Sequence, residues 1–393
     1  METETAGKPR RWVNSSILGI GLASLCSDAG HEMATAAMPA LLASLGAGSA
    51  VLGLIEGLAD GLSSAAKLLS GLYGDRLEKR KPLAVAGYFV TAAGMGSFAL
   101  AASWPQVLLG RVGGWLGRGA RSPVRKVLLA EATTPETYGR AFGLERAMDS
   151  AGAVIGPLLA LLVTSALGLR WTFALTLIPG LLAALVIVAL VKERPHEPRP
   201  DAGLRGGWRD LPSAFKRRLA GVGLAGAGDF SNTLLILWAT QAWTPAYGRA
   251  RAAELAMLFY TGYNAVFTAS CYVSGHLSDF LPKKTVLSAG YALAAVPAAA
   301  LLLPGASLVK FAAVFAISGL YMGVWETVES ATAADLLPPA VRGFGFGVLS
   351  TVNGLGDLAS SVVVGALWLL HPGAAMGYVI ATALGGAALI AAS

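Results

Sequence analysis

Charged residues are scarce in this sequence. Asp, Glu, Lys and Arg make up 13% of the 393 residues, whereas soluble domains contain about 25%. Hydrophobic residues reach 55%, so a water-soluble fold of this length would expose large apolar patches. The composition therefore excludes an ordinary soluble domain and predicts an all-α protein that crosses a lipid bilayer several times.

Cysteine is nearly absent, and several catalytic motifs are missing. Cys26 and Cys271 both lie within apolar runs, so neither a disulfide framework nor a structural zinc site is predicted. The chain also lacks HExxH, the phosphate-binding GxxxxGK[ST] loop and a Ser/His/Asp spacing. We therefore expect no cofactor, no enzymatic activity and no built-in ATPase. A receptor or an embedded enzyme is kept only as a remote alternative.

Apolar runs of about 20 residues, the length that spans a bilayer, occur twelve times. The predicted spans are 15–44, 50–74, 82–102, 105–131, 138–167, 170–191, 218–246, 252–278, 284–303, 307–336, 341–370 and 373–392. The first run has no convincing cleavage site, so we expect a retained helix rather than a signal peptide.

The net charge of +7 comes from short basic clusters between these runs. Because cytoplasmic loops are enriched in Lys and Arg, this pattern indicates a multi-pass protein of the cell membrane, with both termini in the cytoplasm, and no nucleic-acid partner. A bacterial inner membrane is the expected location. A segment rich in proline and charge, 192–217, predicts a cytoplasmic linker between two six-helix domains, 1–191 and 218–393.

The two predicted domains resemble each other in sequence. The segment from Gly71 to Asp75 at the end of the second span has a counterpart from Gly275 to Asp279 at the end of the eighth. Two further pairs lie at nearly the same offset: Arg140-Ala-Phe-Gly with Arg342-Gly-Phe-Gly, and Asp28 with Asp229. A repeat of roughly 200 residues indicates duplication, which is typical of secondary transporters with a substrate site between the halves.

These residues resemble the major facilitator superfamily. The loop residues Gly71, Asp75, Arg76, Lys79, Arg80 and Lys81 are similar to its G-x-x-x-D-R-x-G-R-R motif, although Glu78 replaces the second glycine. Gly275 and Asp279 form a degenerate second copy, and Gly152, Gly156 and Pro157 resemble the G-x-x-x-G-P motif associated with exporters. The resemblance implies two pseudo-symmetric six-helix bundles, alternating access and a gating role for the loop motif.

Ionisable residues inside a bilayer are costly and therefore candidates for function. Asp28, His31 and Glu32 lie within one turn of the first span. Burial and mutual repulsion favour the protonated form of such carboxyl groups, so we expect Asp28 or Glu32 to exchange protons. The other candidates for proton coupling or substrate binding are Asp60, Arg118, Arg121, Glu145, Asp149, Asp229 and Glu326. Lys67, Arg111, Arg146, Glu329 and Asp357 are further embedded charges.

The sequence thus predicts a proton-coupled transporter, an exporter of a small organic solute or drug-like compound that acts as a monomer. Arg118 and Arg121 are expected to pair with acids of neighbouring helices, and Lys67 to extend toward the cytoplasmic surface. The alternative is a transporter of a divalent metal ion or metal chelate, because Asp28, His31 and Glu32 offer donor atoms at helical spacing. No permanently bound metal is expected.

Overall fold

Long α-helices make up almost all of the structure, a computed structural model that describes residues 12–194, 196–199, 203–229 and 232–393. These residues contain no strand. In the first half the helices are α1 (Ser15–Ser44), α2 (Ser49–Arg76), α3 (Lys81–Gly96), α4 (Trp104–Glu131), α5 (Tyr138–Leu167), α6 (Leu169–Leu175) and α7 (Leu177–Leu190). They are followed by α8 (Leu204–Asp210), α9 (Ser213–Gly226), α10 (Asn232–Tyr247), α11 (Arg249–Phe280), α12 (Lys283–Leu293), α13 (Ala295–Leu302), α14 (Leu308–Leu336), α15 (Arg342–Leu370) and α16 (Pro372–Ala392).

The described residues form the twelve predicted spans, in two six-helix bundles. α6 with α7, α9 with α10, and α12 with α13 each form one span that is interrupted by a short break. The breaks before α7 and α13 precede Pro179 and Pro297, which lack the N–H that continues a helical ladder. The segment 192–217 contains the short helix α8 and the start of α9, so the exact domain boundaries stay a prediction.

The seventh span is broken where a continuous helix, 218–246, was predicted. α9 ends at Gly226, and Ala227 and Gly228 form a turn that leads to Asp229 outside the helix. Glycine disfavours helix, and a Cβ added at Gly228 would overlap the side chain of Thr382. The hydroxyl of Ser360 donates to the Asp229 carbonyl, which satisfies a backbone group that the break leaves without a helical partner.

Seven helices of the described residues are long and apolar enough to cross a membrane by length and composition alone. These include the spans built on α3, α5, α14 and α16. Helices α1, α2, α4 and α11 fall outside this set, and the first three carry charged side chains that line a cavity between the halves. Hydropathy alone therefore underestimates the number of spans, because several helices turn a polar face toward the interior of the protein.

The two halves are joined at one end of the bundle. The largest hydrophobic cluster contains side chains of both halves, such as Leu72 and Phe142 from the first and Phe346 and Leu349 from the second. Phe142 and Phe346 pack with their ring centroids 6.0 Å apart. The other two clusters each belong to one half. We call the shared region, where α2 and α11 finish and α5 and α15 begin, the joined end, because the halves separate beyond it.

Candidate functional site

A cavity of about 680 Å³ lies between the halves. Its two walls differ in charge. The first half contributes the bases Lys67, Arg118, Arg121, Arg125, Lys126 and Arg146, together with Asp28, Asp60 and Asp149. The second half contributes Asp229, Glu326, Glu329 and Asp357, and no base among the described residues that line it. Asymmetric charge of this kind suits a solute that itself carries charge.

His31 is the centre of the first-half cluster. Its Nδ1 lies 3.3 Å from Asp28 Oδ1 and 3.3 Å from the carbonyl oxygen of Ser27. Both neighbours are acceptors, so Nδ1 carries the proton that it donates. Its Nε2 lies 3.0 Å from Glu32 Oε1 and 2.7 Å from Arg118 Nη1. The sequence-predicted group of Asp28, His31 and Glu32 is therefore one contiguous contact network.

The two neighbours of His31 Nε2 require different protonation states. Arg118 can only donate, so it bonds Nε2 when this nitrogen is unprotonated. A Glu32 carboxylate can only accept, so it bonds Nε2 when this nitrogen carries a proton. One nitrogen cannot satisfy both partners at once. The contact with Arg118 therefore requires an unprotonated Nε2, and the contact with Glu32 requires a protonated one.

Arg118 and Arg121 have different surroundings, although both were expected to pair with acids. Arg118 Nη2 lies 3.8 Å from Asp28 Oδ2, in agreement with the expectation. For Arg121 the expectation was wrong, because no carboxylate of the described residues lies within 4.0 Å of it. Its guanidinium instead stacks 4.1 Å from the ring centroid of Tyr88, an arrangement that the pattern of charges in the sequence does not reveal.

Asp60 accepts a hydrogen bond of 2.6 Å from Trp115 Nε1. Arg111 Cζ lies 3.4 Å from the ring centroid of Trp115. The imidazole of His31 packs against the same indole in a T-shaped arrangement. Arg111 binds both oxygens of Glu56 at 2.8 Å. Trp115 therefore connects the Asp60 side of the cavity to the His31 cluster.

A second charged cluster lies toward the joined end. Arg125 contacts Glu145 at 3.1 Å and Asp149 at 3.3 Å. Arg146 forms ion pairs with Asp149 in its own helix and with Glu326 of α14. Two bases and three acids are thus joined in one network. The Arg146–Glu326 pair connects the two halves at the cavity.

Two of the second-half acids, Glu329 and Asp229, are held by neutral donors rather than by bases. Glu329 accepts from Tyr291 at 2.7 Å, from Trp325 at 2.7 Å and from Asn353 at 2.6 Å. Asp229, at the break of the seventh span, accepts from the hydroxyl of Tyr321 at 3.1 Å. These carboxyl groups are oriented but not neutralised by an ion pair among the described residues.

The loop motif fastens the halves at the joined end. Asp75 accepts hydrogen bonds from the backbone N–H groups of Gly343 at 3.0 Å and Phe344 at 2.8 Å, at the start of α15. Arg80 contacts Asp75 at 3.1 Å and Glu131 at 2.6 Å. A carboxylate at a helix N-terminus is stabilised by unpaired N–H groups and by the helix dipole. Arg76, the other basic residue of the motif, adjoins this carboxylate at the end of α2.

The degenerate copy forms the matching fastening. Asp279, at the end of α11, accepts from the backbone N–H groups of Gly139 at 2.7 Å and Arg140 at 3.1 Å. The side chain of Arg140 adds a contact of 2.8 Å. The internal repeat relates the two fastenings. In each, an aspartate at the end of the second span of one half binds the start of the fifth span of the other half.

Glycine allows these helix pairs to approach closely. A Cβ at Gly343 would lie 2.5 Å from Asp75 Oδ1, and one at Gly139 would lie 2.6 Å from Asp279 Oδ1. Gly71 packs against Gly343, and Gly275 packs against Gly139. The glycines of both motif copies are thus required by backbone contact across the two halves.

The exporter-type motif in α5 packs against the turn of α1 that carries Asp28, His31 and Glu32. A Cβ at Gly152 would lie 3.1 Å from Asp28 Cβ, and one at Gly156 would lie 2.8 Å from Glu32 Cβ. Pro157 lies inside α5, where it leaves a carbonyl without its helical N–H. The motif therefore sets the distance between α5 and the turn that carries Asp28, His31 and Glu32.

Two lining residues, Arg125 and Lys126, were not selected from the sequence. Arg125 follows Arg118 by seven positions and Arg121 by four, so helical periodicity places all three on one face of α4. That spacing was the available signal. Lys67 lines the cavity, which corrects the expectation that it extends to the cytoplasmic surface.

The donor atoms of the metal alternative do not form a metal centre. Within the part of the chain that the structure describes, no group of three His, Cys, Asp or Glu side chains is placed to hold a metal ion. Arg118 approaches His31 Nε2 instead, and a guanidinium there opposes a cation.

The two bundles, their shared cavity and the paired fastenings define a polytopic membrane transporter with an internal repeat. Residues 20–361 match the model of the Major Facilitator Superfamily. The chain belongs to this family, as the motifs predicted. Members bind small-molecule substrates while embedded in a membrane.

Three similar proteins illustrate the relationship. An uncharacterised MFS-type transporter of Methanocaldococcus jannaschii is 29% identical over 367 residues, which cover 92% of this chain and 90% of that protein. Multidrug resistance protein MdtH of Aeromonas hydrophila is 36% identical over 115 residues, 29% of each chain. The crystal structure of the E. coli fucose:proton symporter FucP superposes with a TM-score of 0.77 at 15% identity, covering 95% of this chain and 96% of that chain.

Proposed function

We propose that this chain is a proton-coupled secondary transporter that works by alternating access and exports a small organic solute or drug-like compound in exchange for protons. The observation that carries the proposal is the competition between Arg118 and Glu32 for His31 Nε2, at 2.7 and 3.0 Å. A proton on this nitrogen favours Glu32 and releases Arg118. Because Arg118 lines the cavity, the proton and the solute act on the same wall.

Asp28 and Glu32 complete the coupling group. When His31 is doubly protonated, both carboxylates stabilise it. When it loses a proton, Arg118 approaches Nε2 and remains the cation beside the two carboxylates. A group with these two arrangements can bind and release a proton during each cycle.

Export is supported by two observations. Gly152, Gly156 and Pro157 form the exporter-type motif, and its glycines contact the coupling turn of α1. A part of the chain is also similar to MdtH, which is named a multidrug resistance protein. Movement of α1 against α5 at these glycines would transmit a change at His31 to the packing of the helices.

We further propose that the joined end faces the cytoplasm and that the protein functions as a monomer in the cell membrane. Asn14, just before α1, donates to the carbonyl of Ala132 at the end of α4, and Ser393 accepts from Arg218 and Lys284. The beginning of α1 and the end of the chain therefore lie on one side, among the basic loops that favour the cytoplasm. In this state the cavity is closed toward the cytoplasm and accessible from outside.

Proteoliposomes with an internal pH indicator test this function. A thermal-stability screen of the purified protein first identifies a solute that it binds. Adding that solute to one side should move protons in the opposite direction, and an imposed pH gradient should accumulate it. Solute flux with no proton movement under any gradient would contradict proton coupling and leave only a uniporter.

A further inference from the structure

Arg121 is a buried cation without a polar partner. Its side chain is 2% exposed, its Nε has no hydrogen-bond partner, and no ion pair links it to the residues that the structure describes. The ring of Tyr88 covers one face of the guanidinium, and the hydroxyl of Tyr88 is likewise buried without a partner. An unpaired guanidinium at low polarity is costly, and Arg121 lines the cavity, so a ligand there can accept the hydrogen bonds that no described side chain accepts.

The neighbouring arginines of the same wall are already engaged, and its two lysines, Lys67 and Lys126, lack the planar fork of a guanidinium. Arg125 is held by Glu145 and Asp149, and Arg118 is held by His31 and Asp28. Arg121 lines the cavity between them along α4. The planar fork of a guanidinium matches a carboxylate in two parallel hydrogen bonds. Arg121 is therefore the cavity residue best suited to the anionic group of a solute.

The opposite wall offers the reverse charge. Asp357 is exposed within the cavity wall and makes no ion pair or hydrogen bond with the described residues. Among the described side chains, the hydroxyl of Tyr321 is the one that donates to Asp229. Trp325 and Tyr260 also line the cavity, and an aromatic face adds attraction for an alkylammonium group. This wall suits a cation.

We propose that the transported solute is a zwitterion that binds across the cavity, with its anionic group on Arg121 and its cationic group on Asp357 and Asp229. This proposal rests on the proposed function, because it takes the cavity to be the transport site. A zwitterion places opposite charges on opposite walls and so connects the two halves, as the Arg146–Glu326 ion pair already does at one position. A singly charged solute engages one wall only.

Matched probes test the charge rule independently of proton coupling. Three scaffolds are used: leucine, phenylalanine and the dipeptide alanyl-phenylalanine, each as the free zwitterion, the cationic carboxamide and the anionic N-acetyl derivative. Binding to the purified full chain is measured by calorimetry without a pH gradient. At least one free zwitterion should bind, about tenfold or more tightly than both of its blocked forms, as expected when a charge-assisted hydrogen bond is lost.

Substitutions assign the two ends. Arg121→Gln should weaken the zwitterion about tenfold while leaving the carboxamide unchanged. Asp357→Asn should weaken the zwitterion while leaving the N-acetyl form unchanged. Arg121→Lys keeps the charge but loses the fork, so it should give an intermediate affinity. Arg121→Lys also tests the anion site if Arg121→Gln does not fold. Arg251→Gln, in an exposed ion pair with Glu254, is the matched control and should bind all probes as the unaltered protein does.

Several results would overturn the proposal: no free zwitterion binds, a blocked form binds as tightly as its zwitterion, or both cavity variants weaken every probe equally. The outcome is separable from the proposed function. A carboxamide that alone binds and accumulates under a pH gradient leaves proton-coupled transport intact and removes the zwitterion. A zwitterion that binds as predicted but is not driven by any pH gradient removes proton coupling and leaves the binding assignment intact.

Discussion

Individual side chains decide how charge is held inside this protein. His31 has a donor and an acceptor competing for one nitrogen, whereas Arg125 is held by Glu145, Asp149 and Ser24. The first arrangement can switch, and the second cannot switch without loss of several contacts. We therefore propose that proton coupling belongs to the His31 cluster and that the Arg125 cluster stabilises the fold.

His31→Gln should abolish accumulation driven by a pH gradient and preserve solute exchange without a gradient. Glutamine can still hydrogen-bond to Arg118 but cannot carry a proton near neutral pH. At least one of Asp28→Asn and Glu32→Gln should act in the same way, because each removes charge with little change in volume. Counterflow and gradient-driven flux are measured in parallel in proteoliposomes. Wild-type accumulation in all three variants would move the coupling site to Asp60 or Asp149.

Arg125→Met should destabilise the protein by about 3 to 5 kcal/mol, because Glu145 and Asp149 lose the cation that compensates them in a buried site. Unfolding in detergent is followed by circular dichroism. Arg251→Met is the control: its ion pair with Glu254 is exposed, so no measurable change is expected. Equal effects of both substitutions would show that the buried network contributes nothing specific.

Pairs of packed helices connect the His31 cluster to the joined end. Contacts of α2 with α15 and of α11 with α5 form the two fastenings of the joined end, and α1 packs along α5 at Gly152 and Gly156. α5 takes part in both kinds of contact. It is therefore the element through which the coupling turn can influence the fastening at Asp279.

Asp75→Asn and Asp279→Asn should each weaken the closed joined end, because an amide accepts backbone hydrogen bonds more weakly than a carboxylate does. Distances between spin labels at Tyr73→Cys and Phe280→Cys, with Cys26 and Cys271 replaced by serine, report separation of the halves. Both variants should add a longer-distance population and reduce flux, with little loss of thermal stability. Unchanged distances with normal flux would exclude a gating role for the motif.

Gly156→Ala should destabilise the protein by about 1 to 3 kcal/mol, as overpacking does, because the new Cβ would lie 2.7 Å from the Ala29 carbonyl oxygen. It should also impair transport, since it displaces Glu32. Gly57→Ala provides the control: no atom lies within 4 Å of its Cβ position, and alanine favours helix. A stability loss in the control as large as that of Gly156→Ala would rule out helix spacing as the cause.

The molecule as a whole consists of two repeats joined at one end around a cavity of opposite walls. The repeat explains why both fastenings use the same chemistry. The different charges of the walls show that the halves differ where they line the cavity. Closure of the outer end would bring the basic wall of the first half toward the acidic wall of the second, and a bound solute would lie between them.

The sequence alone predicted the twelve spans and both fastening motifs, because apolar length and short glycine–aspartate patterns are local properties. It also grouped Asp28, His31 and Glu32, which share one helical turn. It did not predict the break of the seventh span at Asp229, because packing of Gly228 against Thr382 involves a distant helix. The sequence also led to the wrong partner for Arg121, which contacts the ring of Tyr88 and not an acid. The partner of a base depends on which side chain the neighbouring helix places beside it.

The most direct test of proton-coupled export is solute accumulation in proteoliposomes of known orientation, with the solute found by thermal stabilisation and an imposed pH gradient. If protons and solute move in opposite directions, a gradient that is acidic on the joined-end side should drive solute into that compartment. Collapse of the gradient with a protonophore should release it, and His31→Gln should show neither effect. Equal accumulation with and without the gradient, or accumulation that His31→Gln leaves intact, would contradict the proposed mechanism.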